Sequence, residues 1–292
     1  MSFIQQTING LSIGSVYALI AIGYTMVYGI IGLINFAHGD IYMTGAFFGF
    51  LAATYLNLPF IPVFIISMIG AGILGVIIEK VCYKPLRGSP KINLLITAIA
   101  MSLLLENGYR FIFGANPKTY PKTLLTQKTM HLGSLEMNQM YIIIIAISIV
   151  LVVLLQIIVF KTKIGKAMRA TSYDMDAAQL MGINVNGVIS VTFFIGSALA
   201  GAAGILVGIL YNTAEPYMGM MPGLKAFIAA VLGGIGVIPG AMIGGIVMGL
   251  VETFTKAYVS TKLSDAIVFG ILILVLLVKP SGILGKNVSE KV

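Results

Sequence analysis

MSFIQQTINGLSIGSVYALIAIGYTMVYGIIGLINFA, residues 1–37, contains no Asp, Glu, Lys or Arg. About 20 apolar helical residues cross the hydrocarbon of a bilayer, so this run alone is longer than one span. Six more stretches share its character: 41–78, 92–105, 137–160, 177–214, 226–251 and 266–278 are free of those charges. Composition agrees, with 58% of the 292 residues hydrophobic and 10% charged, against about 25% charged in soluble domains; the mean hydropathy is +1.01. A water-soluble enzyme is excluded, and the chain reads as an all-α polytopic membrane protein. The amino terminus lacks a basic n-region and an obvious small-residue cleavage site, so the first run is expected to remain as a span rather than leave as a signal peptide.

The formal charge of +8 does not point to nucleic acid, because the basic residues gather in short loops beside apolar runs. Lys80, Lys84, Arg87 and Lys91 form one cluster; Lys161, Lys163, Lys166 and Arg169 form another. The positive-inside rule makes both cytoplasmic. Residues 114–138 are then external despite Lys118, Lys122 and Lys128. About eight transmembrane helices are expected, near 10–33, 41–56, 62–81, 92–113, 139–160, 188–211, 222–254 and 264–278. The region 222–254 contains Gly233-Gly234-Ile235-Gly236 and Pro239-Gly240, a pattern that in lipid marks a broken or re-entrant helix packed against protein. If both halves cross, there are nine segments, and the tail with Lys279, Lys286 and Lys291 is cytoplasmic. A single permease domain over 1–292 follows, with 161–187 as a cytoplasmic coupling loop inside it. Cys82 is the only cysteine, which excludes an intrachain disulfide.

Small residues recur every four positions at Gly10, Gly14 and Ala18, at Gly196, Ala200, Gly204 and Gly208, and at Ala241, Gly245 and Gly249. Such stripes let helix backbones approach closely, within the bundle or at a subunit seam. In the second basic loop, Asp174 or Asp176 can cap a helix of about two turns that Gly182 terminates. Ala177 and Ala178 keep that helix narrow, and Leu180 and Met181 give it an apolar patch suited to another protein's groove. Asn35, His38 and Asp40 form a polar knot between the first two spans. A proton relay is the sharper reading and capping of the second span by Asp40 at the cytoplasmic end the plainer one. Glu106 and Arg110 are spaced to pair, and Glu215 and Glu252 are expected at the interface.

Asp176-Ala177-Ala178 followed by Gly182 is similar to a degenerate EAA loop, the segment by which permeases of ATP-binding-cassette importers dock on their ATPases, with Asp in place of Glu. Residues 23–29 (GYTMVYG), 34–40 (INFAHGD), 225–227 (KAF), 231–236 (VLGGIG) and 239–241 (PGA) resemble the LivH-type permeases of bacterial branched-chain amino acid importers, and the resemblance covers essentially the whole chain. It implies a subunit of an inner-membrane importer for leucine, isoleucine and valine, paired with a second, LivM-like permease, two cytoplasmic ATPases and an extracytoplasmic amino-acid-binding protein. ATP and Mg would then sit on the ATPases, with no cofactor or metal on this chain. No phosphate loop is present, since Gly165-Lys166 is followed by Ala167 and Gly285-Lys286 by Asn287. Under this resemblance Gly233, Gly234, Gly236 and Pro239 are candidates for the translocation path, where freed backbone groups can meet an ammonium and a carboxylate transiently.

Four rival readings compete with this one. Permeases of this kind also carry urea, short amides or other amino acids. An ion-coupled secondary transporter would need a midplane relay, for which only the His38 knot and Glu106 qualify, and a passive channel would leave the basic loop without a role. An intramembrane hydrolase lacks its motifs: His-Glu-x-x-His is absent, and His38 and His131 are the only histidines.

Overall fold

In the computed structural model, which describes residues 3–121, 124, 129–132 and 135–285, the charge-free runs fold as helices. The order is α1 (Phe3–Ile31), α2 (His38–Tyr55), α3 (Phe60–Ile78), α4 (Lys91–Phe113), α5 (Gln139–Lys161), α6 (Lys163–Tyr173), α7 (Met175–Leu180), α8 (Val185–Tyr211), α9 (Met220–Gly233), α10 (Ile238–Tyr258) and α11 (Ser264–Val278). Among the described residues six helices are long and apolar enough to cross a membrane: α1, α3 continued through a π turn and a 3-10 turn to Leu86, α4, α5, α8 and α10. α9 and α11 are shorter apolar helices. The protein is an all-α multi-pass membrane protein, with one departure from the sequence expectation. The loop before α5 contains an antiparallel hairpin, β1 (Thr129–Leu132) paired with β2 (Leu135–Asn138); its signal was the alternation of polar and apolar residues in TMHL and LEMN on either side of Gly133-Ser134. Lys122, Lys128, Lys286 and Lys291 lie outside the described residues.

The helices divide by what surrounds them. α1 and α8 are buried over most of their length and form the centre, whereas α3, α4 and α5 turn apolar faces outward. On α3 the outward ridge is Ile61, Ile65, Ile69, Ile73 and Ile77, every fourth residue. Helices apolar on their outer face suit lipid as solvent.

Small residues hold the centre together. A methyl group on Gly14 would stand 2.9 Å from the Ile246 Cα, and one on Gly10 3.1 Å from the Leu250 Cα, so the first stripe is the seam between α1 and α10. Gly201 and Gly204 seat α8 against α3 and α2, and Ser67 on α3 donates to the Gly45 carbonyl at 2.6 Å, with the Gly201 carbonyl at 3.2 Å. Lipid-solvated helices gain little by hiding apolar side chains, so close backbone contact and such hydrogen bonds supply the association. Gly204→Leu should therefore destabilise the bundle by at least about 1–3 kcal/mol, the usual range for overpacking, because its Cβ would collide with the Tyr42 carbonyl on α2. Gly108→Ala, which meets nothing within 4 Å, is the control, and thermal unfolding in detergent should separate the two.

The connection from α1 to α2 positions the polar knot. Instead of starting where α1 ends, α2 begins beside its interior: the His38 ring packs against Gly23 and lies edge-on to Tyr24 with ring centroids 4.6 Å apart. Gly23 lies eight residues before the end of α1 at Ile31, so residues 32–37 climb back by about 12 Å.

Candidate functional site

α6 and α7 are built by local capping. The Thr162 hydroxyl accepts from the Gly165 N–H at 3.1 Å to start α6, and Gly165 is required because a Cβ there would strike the Val159 and Ile158 carbonyls. Arg169 donates to the Val159 carbonyl and lies over the Phe160 ring, 5.5 Å from its centroid, which folds α6 back on the end of α5. Asp174, the first of the two candidate caps, accepts from the Ala177 N–H at 2.9 Å and starts α7; Asp176 sits in its first turn. Gly182 ends α7 at φ +83°, a conformation that glycine adopts without strain. Ala178 is buried beneath the helix, while Ala177 faces out. The large outward groups are Tyr173, Leu180 and Met181, which are 95%, 88% and 83% exposed. Ala178 thus supports α7 from below and is not part of its outer face.

The glycine break is a turn between two antiparallel helices. α9 ends at Gly233, Gly234 and Gly236 take φ of +105° and +90°, and α10 starts at Ile238. Pro239 falls in the first turn of α10, where the missing N–H costs nothing. Gly233 touches Gly240 closely, and the tail closes the end of α9: the Ile283 and Leu284 N–H groups donate to the Leu232 and Gly233 carbonyls at 2.8 and 3.0 Å. Of the four candidate path residues, Gly233 and Gly234 are therefore packing positions held by α10 and the tail. Gly236 and Pro239 line a cavity of about 370 Å³, together with Thr25 and Gly29 of α1 and Arg169 and Ser172 of α6. Thr25 is buried there with its hydroxyl unpartnered. The break and the basic loop, about 70 residues apart in sequence (Arg169 to Gly236), thus form opposite walls of one space.

The polar knot departs from its expected place. Asn35, His38 and Asp40 are all buried, and α2 has no side-chain cap. Asn35 accepts from the Ala37 N–H at 3.1 Å and from the Tyr83 hydroxyl at 3.0 Å, so it shapes the approach to α2 and ties it to the π turn after α3. Asp40 lies in the first turn of α2, where its carboxylate meets its own backbone N–H, and it also faces Ser102 and Glu106 of α4, which the sequence did not announce. Glu106 accordingly turns inward and forms no ion pair with Arg110, whose nearest polar partner is the Tyr217 hydroxyl at 3.4 Å. The cause is the return of residues 32–37, which carries the knot from the end of the bundle to its inside.

One cluster was missed by sequence reasoning. Glu252 is 2% exposed, enclosed among the helices. It accepts from the Tyr17 hydroxyl at 2.6 Å, from Lys225 at 2.7 Å and from Lys256 at 2.5 Å, and Lys225 also meets Asp265 at 2.8 Å. These contacts join α1, α9, α10 and α11. The available signal was Lys225 itself, the lone charge between Glu215 and Glu252: an ionisable group inside an apolar run needs a partner. Glu79 is another buried acid, paired with Arg87 and accepting from Ser190 at 2.7 Å, which fastens the π turn to α8.

Comparisons with known proteins converge. The family described as branched-chain amino acid transport system, permease component, matches residues 6–276. The chain is 44% identical to the high-affinity branched-chain amino acid transport system permease protein BraD of Pseudomonas aeruginosa, over 99% of this chain and 98% of the relative. It is likewise 44% identical to LivH, the permease protein of that name in Escherichia coli K12, with the same coverage of both chains. Among solved structures, PsaBC from Streptococcus pneumoniae in complex with Fab is similar with a TM-score of 0.51 at 15% identity, over 96% of this chain and 93% of that one, which is a likeness of fold.

Proposed function

Because this chain belongs to the family of branched-chain amino acid transport system permease components, we propose that it is the permease subunit of an ATP-driven importer that moves leucine, isoleucine and valine across the bacterial inner membrane. On this reading the basic end faces the cytoplasm. Its partners are a second, LivM-like permease, two cytoplasmic ATPases that carry ATP and Mg, and an extracytoplasmic amino-acid-binding protein. The observation that carries the reading is the shared cavity between α6 and the glycine break. α7 offers an exposed apolar face to an ATPase, α6 is joined to it through the single residue Asp174, and α6 forms a wall of the space that Gly236 and Pro239 also line. A displacement of α7 is in this way delivered to the inner end of α1 and α10, where a path would open. Gly236, where an added Cβ would meet nothing nearer than the Gly29 Cα at 3.9 Å, leaves the turn room to move there.

The test is uptake into proteoliposomes that contain the whole complex, with ATP inside and receptor plus labelled leucine outside. Leucine should accumulate only with both receptor and ATP, and collapse of proton and sodium gradients should leave accumulation intact. Uptake of urea or amides in place of leucine would overturn the substrate; gradient-dependent uptake by this chain alone would overturn the mechanism.

A further inference from the structure

At the end of the bundle away from α6 and α7, a second cavity of about 190 Å³ lies among α1, α2, α8, α9 and α10. Its floor is buried and polar: Ser12, Tyr17, Tyr42 and Glu252 are each 6% exposed or less. Its rim is formed by Tyr211 and Lys256, both exposed, and one wall is aliphatic, made by Ile13, Val16, Val207 and Leu210. Sites for drug-sized ligands run to roughly 300–1,000 Å³, so this one has room for a single small molecule.

Two observations separate it from a packing gap. The Ser12 hydroxyl lies on the wall, fully buried, without a hydrogen-bond partner, although a helical serine ordinarily bonds the carbonyl four residues back, as Ser15 does to Leu11 at 2.7 Å. A buried hydroxyl left open costs free energy until something fills it. The second is the crowding of Glu252. A single oxygen, Oε1, accepts from two ammonium groups, and they are not equivalent. Lys225 is buried and held in addition by Asp265; the Lys256 side chain is 41% exposed and, among the described residues, makes this one ion pair. The Lys256 ammonium is thus a replaceable occupant of the carboxylate.

We infer that this cavity admits a zwitterionic amino acid with a short branched aliphatic side chain. The ligand's ammonium takes the place of Lys256 on Glu252 and donates to Ser12, the released Lys256 takes the ligand's carboxylate, and the side chain lies on the aliphatic wall. One ion pair is exchanged for two, so no unpaired charge is buried, which is what makes occupancy affordable at this depth. A molecule lacking either charge leaves Lys256 or Glu252 short of a partner and is rejected. The inference rests on the transport reading and adds to it a selective site on this chain at the outer mouth.

The test uses the assembled complex without receptor, carrying Cys82→Ser and a reporter at the rim, Tyr211→Cys. Labelling by a small maleimide is followed with L-leucine, with 4-methylpentanoate, which lacks the ammonium, or with 3-methylbutylamine, which lacks the carboxylate. Leucine should slow labelling several-fold while neither analogue does at the same concentration. Lys256→Met should abolish the protection, and Lys256→Arg should retain it in part. Equal protection by all three compounds, or none by leucine, overturns the inference. Receptor-dependent leucine uptake by the same complex separates the two readings: uptake without protection removes the site and leaves the importer, and protection without uptake does the reverse.

Discussion

Glu252→Ala should leave little folded permease in the membrane. Lys225 is buried and shares its charge between Glu252 and the half-exposed Asp265, while the Tyr17 hydroxyl has Glu252 as its hydrogen-bond acceptor. Removing one member of a buried ion pair costs about 3–5 kcal/mol, because the other charge stays behind in a poor solvent for it. That is a large part of the roughly 5–15 kcal/mol that holds a typical domain together. On the scaling of soluble domains of comparable size the thermal midpoint in detergent should fall by roughly 6–20 °C. Replacing both members, Lys225→Met with Glu252→Leu, should recover much of the loss, since no buried charge is left unpaired and the partners released, Asp265 and Lys256, are solvent-exposed enough to be hydrated. A double variant as unstable as the sum of the single ones would show that the two groups act independently.

The pair Leu180→Asp and Met181→Asp should uncouple ATP hydrolysis from substrate delivery while leaving the permease itself intact. Both side chains are more than 80% exposed on α7, so the isolated subunit loses no packing. Anchoring residues at protein interfaces are worth about 2 kcal/mol or more each, or roughly a 30-fold loss of affinity per residue. Ala178→Arg should behave differently: Ala178 is buried under α7, so a large cation there should dislodge the helix and lower the stability of the subunit before any partner is added. Substrate-stimulated hydrolysis by the reconstituted complex, read beside thermal unfolding of the permease alone, distinguishes the two. Full coupling in the double Asp variant would remove α7 as the docking element.

Spans and short-range caps were legible because each depends on neighbours in sequence. Charge-free runs located the helices, and Asp174 with Gly182 bounded α7 within a residue or two. The break at Gly233 to Pro239 was equally plain, because the glycines favour a turn and a proline fits only the first turn of the helix that follows. What distance in sequence concealed was which groups meet. Asp40 was recognisable in the first turn of α2, but nothing nearby announces that residues 32–37 return alongside α1 and bring it also to Ser102 and Glu106. Glu106 was paired with Arg110 by helical spacing alone, and that rule lost to the inward turn of the acid. Lys225 and Glu252 sit on separate helices, α9 and α10, and their meeting follows only once the break has laid those helices side by side. The union of Gly236 with Arg169 in one cavity is of the same kind: each was recognisable as special, and only the three-dimensional path showed that they face each other.

The seam between α1 and α10 has a bearing on how the chain is made. Tyr17 and its acceptor Glu252 are 235 residues apart, and a ribosome adding about 5–20 residues per second needs roughly 12–47 s to cover that distance. Through that interval α1 waits in the bilayer with its glycine face open and its tyrosine hydroxyl without its acid. Closure of this seam is therefore timed by the synthesis of α10, and a chain cut short before α10 keeps an open groove along α1, a lasting mark of an unfinished protein.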